Sequence, residues 1–174
     1  NKITIIEGYA SFLVKNTIKV GKKIIKAKKF IIATGSKPRI AEEFKNYIHS
    51  SDDIFQLHQL PKKMTILGGG YIAIEFACIF SNLGVEIDII YRGDRILKDF
   101  DKDITERLQE IMKKSKIKIH LNSHIKDIKK IDKNNYEINL NKKKIKTNYI
   151  LSAIGRIPNV QNLSINLKNY THEQ

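Results

Sequence analysis

The sequence predicts an α/β fold built on a parallel sheet with an antiparallel meander. Three observations carry that expectation. A short apolar run, Met64 to Leu67, is followed at once by three glycines and then by apolar residues at helical spacing, Ile72, Ile74, Phe76, Ile79 and Phe80. A second strand, Val85 to Tyr91, is expected as soon as Asn82-Leu83-Gly84 has closed that helix. Further on, Ile125–Ile131, Tyr136–Leu140 and Lys143–Thr147 alternate about polar turns at 132–135 and at Asn141-Lys142, as a meander does.

The strand, glycine turn and helix of 64–84 contain G-x-G-x-x-A at Gly68, Gly70 and Ala73. Each residue type has a physical reason. Gly68 permits a tight turn, Gly70 lets an anion approach the backbone, and Ala73 lets the helix pack closely on the strand. The unpaired N–H groups and positive dipole end at the helix start suit a pyrophosphate. The unit therefore reads as the opening of a Rossmann-like dinucleotide-binding βαβ. The alternative is a tight strand–helix turn without a ligand.

The strand after the helix bears on which dinucleotide. NAD-binding folds end this strand with an acid that accepts from the ribose 2′-OH. Here it ends in Tyr91-Arg92, with Arg95 and Lys98 close behind. A guanidinium pairs with a 2′-phosphate and an acid repels it, so the residues point to NADP.

The remaining elements are read in order. Lys2–Glu7, Ser11–Val14 and Thr17–Val20 are candidate strands, and the apolar run Phe30–Ala33 empties as a strand into the small-residue turn Thr34-Gly35-Ser36. Ser50 to Asp53 reads as a cap for a short helix, Asp53–Gln59. Asp101 caps a helix from Lys102 to about Lys114, with Ile104, Leu108 and Ile111 expected on its inner face. Ile117–Leu121 and Asn148–Ile154 return to the sheet.

Composition narrows the function classes. The chain of 174 residues has 32 basic and 18 acidic side chains and a net charge of +14. The bases are mostly lysines, scattered over turns and strand edges without interleaved aromatics, so nucleic-acid binding is not expected. No apolar run approaches the roughly 18 residues of a membrane span, and no membrane association is expected. The single cysteine, Cys78, lies on the apolar helix and reads as a structural thiol, consistent with a reducing, cytoplasmic setting. No metal-ligand cluster is read from the sequence.

Four stretches in this order carry a family resemblance: ATGSKP (33–38), GGGYIAIEFA (68–77), YRGDRILKDFD (91–101) and AIGRIPN (153–159). Together they resemble the FAD- and NADPH-dependent disulfide oxidoreductases, and among those the bacterial glutathione reductases. The resemblance implies that residues 1–45 end a first FAD-domain segment, that 46–158 form the NADPH-binding domain, and that 159–174 return to the FAD domain. It implies FAD contacts at Thr34 and Gly35. For NADP it implies Gly68, Gly70 and Ala73 at the pyrophosphate, Tyr71 and Ile72 at the flavin-facing gate, and Glu75 near the nicotinamide. Arg92 and Lys98 would meet the 2′-phosphate, with Gly155 and Arg156 in a loop beside the cofactor. It further implies a full-length homodimer acting on glutathione disulfide. No catalytic residue falls within this chain, which alone is expected to be inactive; the missing initiator methionine is read as a hint of a fragment. Rival readings are a dihydrolipoamide dehydrogenase, a mercuric or other disulfide reductase, and a non-catalytic nucleotide-binding module.

Overall fold

In the computed structural model, residues 3–141 and 143–164 are described. The chain divides into two units. Residues 38–157 form one, and residues 1–37 with 158–174 form the other.

The larger unit is organised by a four-stranded parallel sheet, β5 (Lys63–Leu67), β6 (Glu86–Ile90), β7 (Ile117–His120) and β11 (Tyr149–Ser152), in the order β11-β5-β6-β7. The register pairs Met64 with both Ile87 and Tyr149, and Ile89 with Ile66 and Ile119. Strands buried on both faces are apolar at nearly every position, and β11 is buried throughout, with Thr65, Asp88 and Ser152 the buried polar residues of this sheet. One face packs Met64, Ile66, Ile87 and Ile89 against α1 (Tyr71–Asn82) and α2 (Lys102–Lys113). The other packs Leu67, Ile90 and Ile150 against Ile128, Ile138 and Ile145 of the antiparallel meander β8 (Ile125–Asp132), β9 (Asn135–Leu140) and β10 (Lys144–Thr147). Ile40 and Phe44 pack on this second cluster, which is why the unit includes residues 38–45.

Both helices have legible ends. Gly84, at φ +91°, follows α1 with the left-handed turn that glycine tolerates best. Asp101 accepts from the N–H groups of Asp103 at 3.0 Å and Ile104 at 3.2 Å at the start of α2. The inner face of α2 differs from the expectation. Ile104 is 66% exposed and Ile111 53%, whereas Thr105 and Met112 are buried and Leu108 packs on the core. Thr105 turns inward because its hydroxyl is satisfied locally, donating to the Lys102 carbonyl at 2.9 Å. The expected helix at 53–59 is a shorter 3-10 turn, Asp53–Gln56. Its cap also runs in reverse, since the Asp53 carboxylate accepts from the Ser50 N–H (2.6 Å) and hydroxyl (2.7 Å).

In the smaller unit β1 (Ala10–Val14), β2 (Thr17–Val20) and β3 (Lys23–Lys26) form an antiparallel sheet in sequence order. β3 was not anticipated, and two expected strands do not form. Residues 3–7 and 30–33 carry no strand, and Ile31 is 95% exposed. A strand exists only where a neighbour supplies its ladder, and β1–β3 pair among themselves. The chain passes between the units within two short strands, β4 (Ser36–Pro38) and β12 (Arg156–Pro158). Of the expected return segment 159–174, residues 165–174 lie outside the described residues. Among the described residues no helix is long and apolar enough to cross a membrane, and no cluster suits a metal ion.

Candidate nucleotide site

The sheet leaves its carboxyl ends on one side of the larger unit, and the turns leaving β5, β6, β7 and β11 converge there. They enclose a cavity of about 520 Å³. In open α/β sheets this is the crevice where ligands bind, and the volume is within the usual range for a ligand pocket.

The floor is the glycine turn. Gly68 sits at φ +125°, and a Cβ there would collide with the carbonyl oxygen of Ala153, so close approach of β5 and β11 requires glycine. Its N–H donates to the Ile90 carbonyl at 2.9 Å. Gly70 is the N-cap of α1 and supplies no side-chain cap; a Cβ on it would meet nothing within 4 Å. The first amides of α1 are thus left uncapped by any side chain at the edge of an open space. That arrangement fits a pyrophosphate. Ala73 is fully buried beneath this turn, as expected of the close helix–strand contact.

One wall is basic. Arg92 and Lys98 both line the cavity. Arg95, between them, is structural. Its guanidinium donates to the Lys98 carbonyl at 2.7 Å and to the Thr105 hydroxyl at 3.2 Å. It thereby ties the loop to α2 and fixes the backbone that carries Lys98.

The opposite wall is formed by Ala153, Ile154 and Gly155 at the end of β11, with Arg39, Glu43 and Phe44 beside them. The Arg39 N–H donates to the Gly155 carbonyl at 2.9 Å, and the Arg39 carbonyl accepts from the Ser152 hydroxyl at 2.7 Å, which holds this edge in place. Tyr71 (57% exposed) and Ile72 line the cavity from the start of α1.

Seven of the residues expected at an NADP site therefore meet in one cavity: Gly68, Gly70, Tyr71, Ile72, Arg92, Lys98 and Gly155. Ala73 supports the turn from below. Glu75 and Arg156 are exposed and stand outside the cavity lining. The two residues expected at FAD lie in the smaller unit. Thr34 lines a separate cavity of about 180 Å³, and the carbonyl of Gly35, a residue at φ +72°, accepts from the Asn159 N–H at 2.9 Å. Cys78 is half-buried on α1 against the core, and burial pushes its thiol up, as expected of a structural cysteine.

Sequence reasoning missed Gly69, Ser123, His124 and Ile154 as lining residues. The signal for Ser123, His124 and Ile154 was topological: each closely follows a parallel strand, where the crevice must open. Tyr91 enters the sequence reading only as a residue that is not an acid, yet it lines the cavity.

Comparison with known proteins gives the family and the fold. Residues 1–172 match the family model described as pyridine nucleotide-disulphide oxidoreductase. The chain is 37% identical over 170 residues to a dihydrolipoyl dehydrogenase of Chlamydia pneumoniae, covering 95% of the chain and 37% of that relative. It is 36% identical over 168 residues to a glutathione reductase of Nostoc sp., covering 94% and 36%. Among solved structures, the HOCl-induced flavoprotein disulfide reductase RclA from Escherichia coli superposes with a TM-score of 0.76 at 27% identity, over 92% of this chain and 38% of that one. The chain thus spans a little over a third of the length of these relatives. On the match across nearly its whole length, the chain belongs to the pyridine nucleotide-disulphide oxidoreductase family.

Proposed function

We propose that the larger unit binds NADPH in the cavity at the carboxyl ends of its parallel strands, as the pyridine-nucleotide part of a flavoenzyme that reduces a disulfide. The observation that carries the reading is that the glycine turn, Arg92 and Lys98 line one cavity. The uncapped start of α1 would hold the pyrophosphate, and Arg92 and Lys98 the 2′-phosphate. Tyr71 and Ile72, at the start of α1, would flank the nicotinamide, with Gly155 of the opposite wall leaving room beside it. Bound there, the reduced nicotinamide supplies a hydride for a flavin, for which Thr34 and Gly35 are the candidate contacts in this chain.

The disulfide we assign to the whole enzyme is glutathione disulfide, with a homodimer in the cytoplasm as its working form. Similarity to the Nostoc glutathione reductase supports the choice of glutathione disulfide. The similarity to dihydrolipoyl dehydrogenases is as great, and it favours a second reading, an NAD-linked dihydrolipoamide enzyme. Tyr91-Arg92 in place of a strand-end acid weighs against that second reading. Calorimetric titration of the chain with NADPH and with NADH tests the choice. NADPH is expected to bind at least about tenfold more tightly, the scale of one charge-assisted contact, and equal affinities would overturn the NADP assignment.

A further inference from the structure

Tyr91 stands where the βαβ fold ordinarily places its ribose-binding acid, and the chain has built two glycines around its ring. A Cβ on Gly69 would lie 2.5 Å from Tyr91 Cδ1 and 2.6 Å from Cγ. A Cβ on Gly93 would lie 2.5 Å from Cε1 and 2.8 Å from Cζ. Both contacts fall along the same Cδ1–Cε1 side, so the ring spans the two glycines lengthwise. Neither glycine position tolerates a side chain unless the ring moves. The backbone beneath the ring is fixed as well. The Tyr91 N–H donates to the His120 carbonyl at 3.0 Å, the Tyr91 carbonyl accepts from the Ser123 N–H at 3.0 Å, and the Gly93 carbonyl accepts from the Asn122 N–H at 2.9 Å.

Tyr91 is also one of the residues that line the cavity. Its neighbours are Gly69, in the phosphate turn, and Gly93, beside the cation Arg92. A ligand with its pyrophosphate at the turn and its 2′-phosphate at Arg92 must carry its adenosine past this position. We propose that Tyr91 is an aromatic platform for the adenosine half of the nucleotide, giving by ring contact the hold that a carboxylate gives elsewhere. The inference rests on the reading of the cavity as a pyridine-nucleotide site. It assigns Tyr91 to affinity for adenosine, a part common to every such nucleotide, and leaves the choice between NADPH and NADH to Arg92 and Lys98.

The test is calorimetric titration of the whole chain with 2′,5′-ADP and with NADPH. Leucine at position 91 fills the space over the glycines but offers no ring face. Tyr91→Leu is expected to weaken both ligands by the same factor, about tenfold on the scale of base–aromatic stacking, while Tyr91→Phe stays within about threefold of wild type. Gly93→Ala provides a route that leaves Tyr91 in place. Residue 93 does not line the cavity, and a loss that NADH, titrated in parallel, shares with 2′,5′-ADP runs through the displaced ring rather than through the neighbouring Arg92, which meets only the 2′-phosphate. An equal loss of 2′,5′-ADP and NADH affinity in Gly93→Ala supports the platform, and it decides the matter if Tyr91→Leu does not fold by circular dichroism. Folded Tyr91→Leu or Gly93→Ala binding 2′,5′-ADP within about twofold of wild type would overturn the inference, as would Tyr91→Phe being as weak as Tyr91→Leu. Failure of wild type to bind either ligand would instead overturn the nucleotide reading itself.

Discussion

The backbone N–H of Leu97 donates to the carbonyl of Gly69 at 2.7 Å, so the basic loop hangs directly on the glycine turn. Leu97 adopts φ +49° to make this contact and packs its side chain on the core. The cations of this loop are thereby held at a fixed place beside the proposed phosphate cradle. Arg92→Glu, which replaces a pairing charge with a repelling one, is expected to weaken NADPH by roughly 10- to 100-fold while NADH changes by less than about threefold. Parallel titrations of both cofactors check it. Equal losses would place Arg92 away from the 2′-phosphate.

Gly68 is required by the fold before it serves any ligand. Gly68→Ala combines a positive φ with a collision against the Ala153 backbone, and neither can relax by a side-chain rotation. A loss of roughly 2–4 kcal/mol is expected. Urea denaturation followed by circular dichroism measures it, and a loss under about 1 kcal/mol would show that β5 and β11 can separate at this point.

On the meander side of the sheet, Asp88 of β6 is only 2% exposed. It is hydrogen-bonded to His120 Nε2, and Lys63 Nζ lies 2.7 Å from its other oxygen as an ion pair. Burial pushes the Asp88 carboxyl up, but the bonds and charges of His120 and Lys63 outweigh it and hold the group below the usual carboxylate value. A depressed native value means that its stabilisation is present above the unfolded value, near about pH 4, and is lost as pH falls through the native one. Asp88→Asn is therefore expected to cost about 3 kcal/mol at about pH 7 and progressively less below about pH 4. Denaturation of both proteins at a series of pH values checks this, and a gap that does not narrow in acid would contradict it.

The two faces of α2 make opposite predictions. Met112→Ala, a truncation at a buried position, is expected to cost about 2–5 kcal/mol. Ile104→Lys, at an exposed position, should change stability by less than about 0.5 kcal/mol. Urea denaturation of both variants compares them, and similar losses would restore the face read from the sequence.

That helix shows where the sequence was legible and where it was not. Local signals held: the Asp101 cap, the turn at Gly84, the largely apolar strands β5, β6 and β11, and the alternation of the meander. The 64–84 unit was readable because turn, cap and periodicity agreed there. The inner face of α2 was misread because Thr105 satisfies its own hydroxyl and goes inside, while two isoleucines stay out. Residues 3–7 and 30–33 have strand composition, but a strand is settled by its neighbour, which composition does not contain. At the site, the glycine turn and the basic loop could be read from spacing. Ser123 and His124 could not, because only the order β11-β5-β6-β7 brings the end of β7 beside β6. The role of Gly69 depends on Tyr91, which lies beyond the whole of α1, and one sequence does not reveal such a pairing.

Every role assigned to the cavity depends on a dinucleotide lying across the carboxyl ends of β5, β6, β7 and β11. Amide chemical-shift mapping of the chain during titration with NADPH measures this residue by residue. The largest shifts are expected at Gly68–Ile72, at Tyr91 to Gly93, and at Ser123, His124 and Gly155. Saturable shifts confined to other surfaces, with those amides unmoved, would contradict the assignment of this cavity as the nucleotide site.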